Sequence, residues 1–277
     1  MNLFSEEEIS FFRKIYQENR FKHLTHKKIL HSTADTANYD LILKVYQAVS
    51  PIIIEKLNKV FKEYDILTSG YLTKLPGDKS ATGYHQDPTL VDEEIAETGN
   101  LWIPLQNVTA ANGQLIVVPG SHRLVKNLRA TPNCPLYYNA YKDRLGKYSV
   151  PIPLKIGQAV FFNHRLIHGS TNNMTETERV ALVTAAKSSR SLPWDFYFID
   201  EQKSKNLLEH YHLTFDSFAK LIKDQRPVEA EYVDTISCQF EQMPWKDFVK
   251  FMHKEYAKAT YWELIKAKIE YAFGTKI

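Results

Sequence analysis

Through the first sixty positions apolar side chains recur every three or four residues. Ile9, Phe12 and Ile15 form one stripe of a helix, and the "SEEE" ahead of them is a capping box in which Ser5 serves the amide three residues on while Glu8 reaches back. A second helical stretch begins near Tyr39 with Leu41, Leu43, Val45 and Val49 and meets Pro51, where the pattern predicts a kink or a break. It resumes with Ile53, Leu57, Val60 and Phe61. From Ile66 the texture changes to short β-branched and aromatic runs separated by Gly, Pro and Asn turns: "ILTSGYLTKL", "NLWIPLQN", "QLIVV", "GQAVFF", "RVALVTAAKSS" and "DFYFID". Such a series without intervening long helices predicts an antiparallel sandwich or barrel. The last seventy or so residues, "SKNLLEHYHLTFDSFAKLIKD" and "PWKDFVKFMHKEYAKATYWELIKAKIEYAF", read as helical again, with aromatics three and four apart that suit an amphipathic face packed on the barrel.

The expected organisation is therefore one domain over 1–277, mainly β with helical flanks (α+β): N-terminal helices over 1–64, a β core over 65–200 and a C-terminal helical flank over 201–277. Composition adds mostly exclusions. The 277 residues are 44% hydrophobic and 24% charged, an ordinary globular balance. Their 35 basic and 32 acidic residues are interleaved, without the basic block of a nucleic-acid track. Cys134 and Cys238 lie far apart and suit free thiols in a reducing compartment, which points to the cytoplasm. The acidic start lacks the pattern of a signal peptide, and no apolar run is long enough to span a bilayer, so neither nucleic acid nor membrane is expected as a partner.

Candidate chemistry begins at "YHQDPT". In extended backbone, residues two apart share a face, so His85 and Asp87 can offer an imidazole nitrogen and a carboxylate oxygen to one ion. Among ten histidines such a pair also arises by chance as a hydrated surface feature, and two ligands make a poor site. A third stands downstream in "FFNHRLIHGSTNNMTETERVAL": His168 ends an apolar strand, and Arg179 follows eleven residues on. Two histidines and a carboxylate are the ligand set of non-haem iron oxygenases. A permanently charged, forked guanidinium suits the far carboxylate of a dicarboxylic cosubstrate. A hairpin turning at "STNN" would set Arg179 beside His168, deeper in the barrel. His164 rivals His168 as the distal ligand, but the strand before it and the Gly-Ser after His168 argue against a helical histidine pair.

Together, "YHQD", "NGQLIVVPGSHR" and "GQAVFFNHRLIHGSTNN" with its following Arg resemble the phytanoyl-CoA dioxygenase family of Fe(II)/2-oxoglutarate-dependent oxygenases. The motifs span residues from about 70 to 187. The resemblance implies a double-stranded β-helix, a jelly-roll barrel similar to cupins. It implies His85, Asp87 and His168 as iron ligands, and Arg179 on the distal carboxylate of 2-oxoglutarate. Ser170 would stand beside that arginine, and Trp102 would line the cosubstrate pocket. Asn100, on the same face as Trp102, is expected near cosubstrate or substrate. His122 is placed in a loop role, and the histidines at 23, 26, 31, 210, 212 and 253 at the surface.

The implied reaction consumes 2-oxoglutarate and O2, releases succinate and CO2, and hydroxylates an unactivated C–H bond of a small or medium metabolite, free or carrier-bound. Related halogenases lack the carboxylate ligand, so Asp87 disfavours halogenation. Tyr84, Asn163 and Arg165 flank the ligands and are candidates for the substrate side, as is the tyrosine-rich loop with Tyr137, Tyr138 and Arg144. Two other classes remain open: a cupin-like metal-dependent isomerase or hydrolase, and a non-catalytic ligand-binding barrel.

Overall fold

In the computed structural model, residues 3–23, 29–132, 135–200, 202, 204 and 206–258 are described. The chain opens with α1 (Glu6–His23), β1 (Leu30–Ser32), α2 (Tyr39–Val60), β2 (Asp65–Lys74) and β3 (Thr82–His85). The middle comprises β4 (Thr98–Pro104), β5 (Leu115–Val117), β6 (Val150–Ile152), β7 (Val160–Asn163), β8 (His168–Ser170) and β9 (Arg179–Lys187). It finishes with β10 (Trp194–Ile199), β11 (Leu207–Leu213), α3 (Phe215–Ala219), β12 (Glu231–Ser237) and α4 (Trp245–Lys258). The ladders are antiparallel, in a five-stranded sheet ordered β1-β2-β9-β4-β7, a four-stranded sheet β3-β8-β5-β6 and a three-stranded sheet β10-β11-β12.

Strand alternation explains how the five-stranded sheet serves two purposes. On one face Tyr71, Leu101, Ile103, Val180 and Leu182 meet Phe12, Tyr16, Val45, Val49 and Ile53 of the two N-terminal helices in the largest apolar core. On the other, Trp102 and Ala181 pack with Phe162 and Leu115, so this face looks toward the four-stranded sheet. The capping box forms as read: Ser5 Oγ accepts from the Glu8 amide at 3.2 Å, and the Ser5 amide donates to Glu8 Oε2 at 2.8 Å.

Three expectations are corrected. Pro51 does not interrupt α2, which runs unbroken over Tyr39–Val60. An apolar face buried on the sheet outweighs the one hydrogen bond that a mid-helix proline removes. The C-terminal part is only partly helical: Leu207–Leu213 and Glu231–Ser237 are strands, with the short α3 between them. Tyr211 and Leu213 are buried while His210 and His212 are half-buried, an alternation that β10 supports by pairing with Leu208 through Leu213 of β11. Third, β8 and β9 are not a hairpin pair, because β8 lies between β3 and β5 whereas β9 lies between β2 and β4. The "STNN" connection crosses from one sheet to the other. Asn173 holds the crossing, its Nδ2 donating to the carbonyls of Lys74 and Thr177 at 3.1 and 2.8 Å.

The tyrosine-rich loop is packing. Tyr137, Tyr138, Tyr141 and Leu145 are buried with Phe248 and Met252 of α4, and Arg144 lies 5.6 Å over the Trp245 ring. His31 is buried rather than at the surface. Cys238 is a free thiol. Cys134, His26, the His23 side chain and the helical pattern read after 258 lie outside the described residues. No helix among the described residues is long and apolar enough to cross a membrane.

Candidate active site

His85 closes β3 and His168 opens β8, and the two are register partners across that ladder. Their rings stand 4.2 Å apart, centroid to centroid. Each Nδ1 lies 2.9 Å from a carbonyl two residues back, Gly83 for His85 and Leu166 for His168. Nδ1–H donated to these carbonyls leaves a lone pair on each Nε2. Those atoms face Asp87: His85 Nε2 is 3.9 Å from its Oδ1 and His168 Nε2 is 3.7 Å from its Oδ2.

Asp87 is positioned from several sides. Its amide donates to the His164 carbonyl at 3.0 Å, and its own carbonyl accepts from Arg129 Nε at 2.6 Å. Arg129 is in turn paired with Glu93. Asn100 Nδ2 donates to Asp87 Oδ2 at 2.9 Å, so Asn100 orients the carboxylate rather than simply lining the pocket. Burial pushes the Asp87 carboxyl up, but His168, His164, His85 and Arg129 together bring it below its ordinary value. His168 is shifted down, chiefly by burial, which favours the neutral, ligating imidazole.

This donor set passes a direct test for a divalent metal. One ligand atom from each of His85, Asp87 and His168 lies within 4.8 Å of the others, a separation that a single ion can bridge. Imidazole and carboxylate are the donors that suit Fe(II) in such a triad. His164 is also buried in the cavity wall, with neither ring nitrogen hydrogen-bonded, and burial pushes it down to about 4. It is not part of the His85, Asp87 and His168 cluster.

Beyond the triad lies an unusual pair. Lys74 at the end of β2 and Arg179 at the start of β9 are register partners, and both are buried, at 0% and 1% exposure. Like charges directly opposed across a ladder disfavour each other. Among the described residues neither cation is paired with a carboxylate. Burial, then Arg179, pushes the Lys74 ammonium down to about 7, and burial pushes Arg179 down to about 10. Lys74 Nζ donates to Ser170 Oγ at 2.6 Å and to the Thr171 carbonyl at 2.7 Å, while Arg179 sits 5.2 Å over the Trp102 ring with its Nε unpaired. Two desolvated cations and a hydroxyl, of which Arg179 and Ser170 line a cavity, are groups of a kind that suits a carboxylate.

The triad and Arg179 line the same cavity of about 480 Å³, between the five- and four-stranded sheets, whose walls include His85, Asp87, Trp102, His168, Ser170 and Arg179, while Lys74 stands behind Ser170, to whose Oγ it donates. The wall continues through Leu115, Phe196, Leu221 and Ile222 and is largely apolar. Lys74 was missed from sequence because a lysine closing a strand reads as a solvated end. The available signal was its place two after Leu72, on the inward phase of β2.

Three expected substrate residues are not among those lining the cavity. Tyr84 donates to Ser149 Oγ at 2.8 Å and packs against the tyrosine cluster. Asn163 Oδ1 accepts from the Arg165 amide at 2.8 Å within their turn. Arg165 is buried 3.9 Å from Glu93, and its carbonyl accepts from Gln86. They flank the ligands in sequence, but their own hydrogen bonds and packing engage them outside the cavity wall.

Residues 3–181 match the family model for phytanoyl-CoA dioxygenase (PhyH). The chain belongs to the phytanoyl-CoA dioxygenase family. It is therefore an oxidoreductase, and the family's working set is Fe(II), 2-oxoglutarate and O2. Among relatives, it is 29% identical over 136 residues to phytanoyl-CoA dioxygenase domain-containing protein 1 of Danio rerio, 47% of either chain. It is 25% identical over 201 residues to phytanoyl-CoA dioxygenase 1 of Oryza sativa subsp. japonica, 69% of either chain. The match thus spans about half the length of the first relative. The PhyH fold is similar to that of the non-haem α-ketoglutarate-dependent carbocyclase SnoK from nogalamycin biosynthesis, at TM-score 0.50 and 22% identity, over 69% of this chain and 78% of SnoK. It is also similar to HygX of Streptomyces hygroscopicus, solved with nickel and 2-oxoglutarate bound, at TM-score 0.50 and 14% identity, over 67% and 80% of the two chains. The mostly antiparallel sheets with helical additions are thus a cupin-like jelly roll.

Proposed function

We propose that this PhyH-family chain is an Fe(II)- and 2-oxoglutarate-dependent hydroxylase of a small or medium metabolite. The observation that carries the reading is one cavity lined by a His-Asp-His triad and, apart from it, by Arg179, a buried cation without a carboxylate partner among the described residues. A cupin-like isomerase or hydrolase needs the first and has no use for the second.

In this reading His85 Nε2, His168 Nε2 and the Asp87 carboxylate hold Fe(II), and Asn100 keeps that carboxylate turned toward the metal. Arg179 and Ser170 take the far carboxylate of 2-oxoglutarate, with Lys74 donating to Ser170 from behind and Trp102 beneath the guanidinium. When bound, metal and oxo acid supply the oxidising power: 2-oxoglutarate and O2 become succinate and CO2 while one oxygen atom passes to a substrate C–H bond. The protein's share is to neutralise the cosubstrate's charge, fix its direction and keep water out. The apolar wall of Leu115, Phe196, Leu221 and Ile222 supports a substrate with a substantial apolar part. The carboxylate at 87 supports hydroxylation over halogenation.

Anaerobic addition of 2-oxoglutarate to the Fe(II)-loaded chain should give a weak visible charge-transfer band. That band should be lost in His85→Ala and Asp87→Ala, with succinate formation falling to background in the same variants. A wild-type chain that gives no band would move the reading to a metal-dependent isomerase or hydrolase.

A further inference from the structure

We propose that Asp195, His210 and His212 form a second metal site, for a zinc-class divalent cation, on the three-stranded sheet. His210 and His212 lie two apart on β11 and so share a face, and Asp195 of β10 is the register partner of His212. Asp195 Oδ1 is 3.1 Å from His210 Nε2 and 3.6 Å from His212 Nε2, and the three ligand atoms lie within 4.8 Å of one another. Bonds of about 2.0–2.1 Å to nitrogen and oxygen in a tetrahedral site require ligand atoms roughly 3.3 Å apart, so these separations bracket the required edge.

The surroundings favour a metal over a simple ion pair. Each imidazole has its other nitrogen beside a carboxylate of β12: His210 Nδ1 lies 3.4 Å from Asp234, and His212 Nδ1 lies 3.5 Å from Glu231. A carboxylate on Nδ1 fixes the tautomer that leaves Nε2 free to ligate, the arrangement found behind metal-bound histidines. Tyr197 stacks on the His210 ring at 4.7 Å and 12°, holding its plane. Two imidazoles and one carboxylate, with a fourth position for water, suit zinc among abundant divalent cations. Metal binding at His210 Nε2 would replace the hydrogen bond that this atom makes with Asp195 in the metal-free chain. All five polar residues lie beyond residue 181, where the match to the family ends. The ion would tie β10, β11 and the exposed edge strand β12 together, and Phe196, between Asp195 and Tyr197 on β10, lines the catalytic cavity.

The test is zinc titration of the full-length His85→Ala chain, whose first site is disabled, with bound metal measured at equilibrium and Co(II) as a spectroscopic substitute. One equivalent should bind, with the visible band intensity of four-coordinate Co(II). Adding His210→Ala and His212→Ala should abolish it. Because that variant removes half-buried side chains, Glu231→Gln with Asp234→Asn supplies a gentler check at exposed positions. It should leave the fold intact by circular dichroism and weaken zinc roughly 10–100-fold. Failure of His85→Ala to bind zinc, or unchanged affinity in the Glu231/Asp234 variant, would overturn the proposal.

Discussion

At the residue scale the site turns on Lys74 and Arg179. A buried ammonium hydrogen-bonded only to Ser170 and a carbonyl gains its counter-charge when an oxo acid arrives. Charge-assisted hydrogen bonds contribute about 1.5–3 kcal/mol. Lys74→Met and Arg179→Ala should therefore each raise the KM for 2-oxoglutarate by roughly 10–100-fold while leaving Fe(II) affinity near wild type, as steady-state kinetics and metal titration would show. Lys74 also sets a pH dependence. Its folded value of about 7 lies below its ordinary value, so without bound anion Lys74 is increasingly neutral above pH 7 while Arg179 stays charged. Binding a dianion favours the charged form. Affinity for 2-oxoglutarate should fall as pH rises through 7 to 8, with proton uptake on binding at pH 8, measurable by calorimetry in buffers of different ionisation enthalpy. Without ligand, the folded chain binds fewer protons at Lys74 than the unfolded chain between pH 7 and about 10.4, so this residue makes stability rise with pH in that window. Lys74→Met should remove both effects.

At the scale of elements, the metal triad depends on how closely β3 and β8 run. Gly169 lies between His168 and Ser170, and a Cβ there would sit 2.6 Å from the Thr82 carbonyl of the neighbouring strand. Gly169→Ala must push β3 from β8 and with it His85 from His168. It should cost about 1–3 kcal/mol of stability by chemical denaturation, and weaken Fe(II) binding although no ligand is changed. This pairing was legible only in part. His85, Asp87 and His168 could be picked out because their residue types and neighbours restrict what they can be. Their pairing across a ladder follows from strand order, which local pattern does not encode. The same holds for Arg179: eleven residues after His168 suggested a hairpin, and the chain instead crosses between sheets. β11 was misread as helix because "LLEHYHL" carries no strong local preference, and its pairing with β10 decided the matter.

At the scale of the whole molecule, the two N-terminal helices brace the five-stranded sheet from behind the cavity. Phe12 is fully buried there, 5.7 Å from Phe4, and its carbonyl accepts from Tyr71 Oη at 2.8 Å. Phe12→Ala should destabilise the fold by about 3–5 kcal/mol while the folded fraction keeps its KM for 2-oxoglutarate. Calorimetry combined with kinetics below the transition would separate this global loss from the local one at Gly169.

The sequence by itself determined the identities of the chemical groups and the phase of most strands. Alternation on β4 and β9 already assigns Trp102 and Arg179 to one face and Leu101, Ile103, Val180 and Leu182 to the other. Only the tertiary structure decided which faces meet. Lys74 came to lie buried behind Ser170 of the cavity wall, and Tyr84, Asn163 and Arg165 lie outside that wall, because pairing between distant strands and local packing set the surroundings of a side chain. Those surroundings, through burial and neighbouring charge, turn a lysine at a strand end into a buried amine whose proton is held weakly.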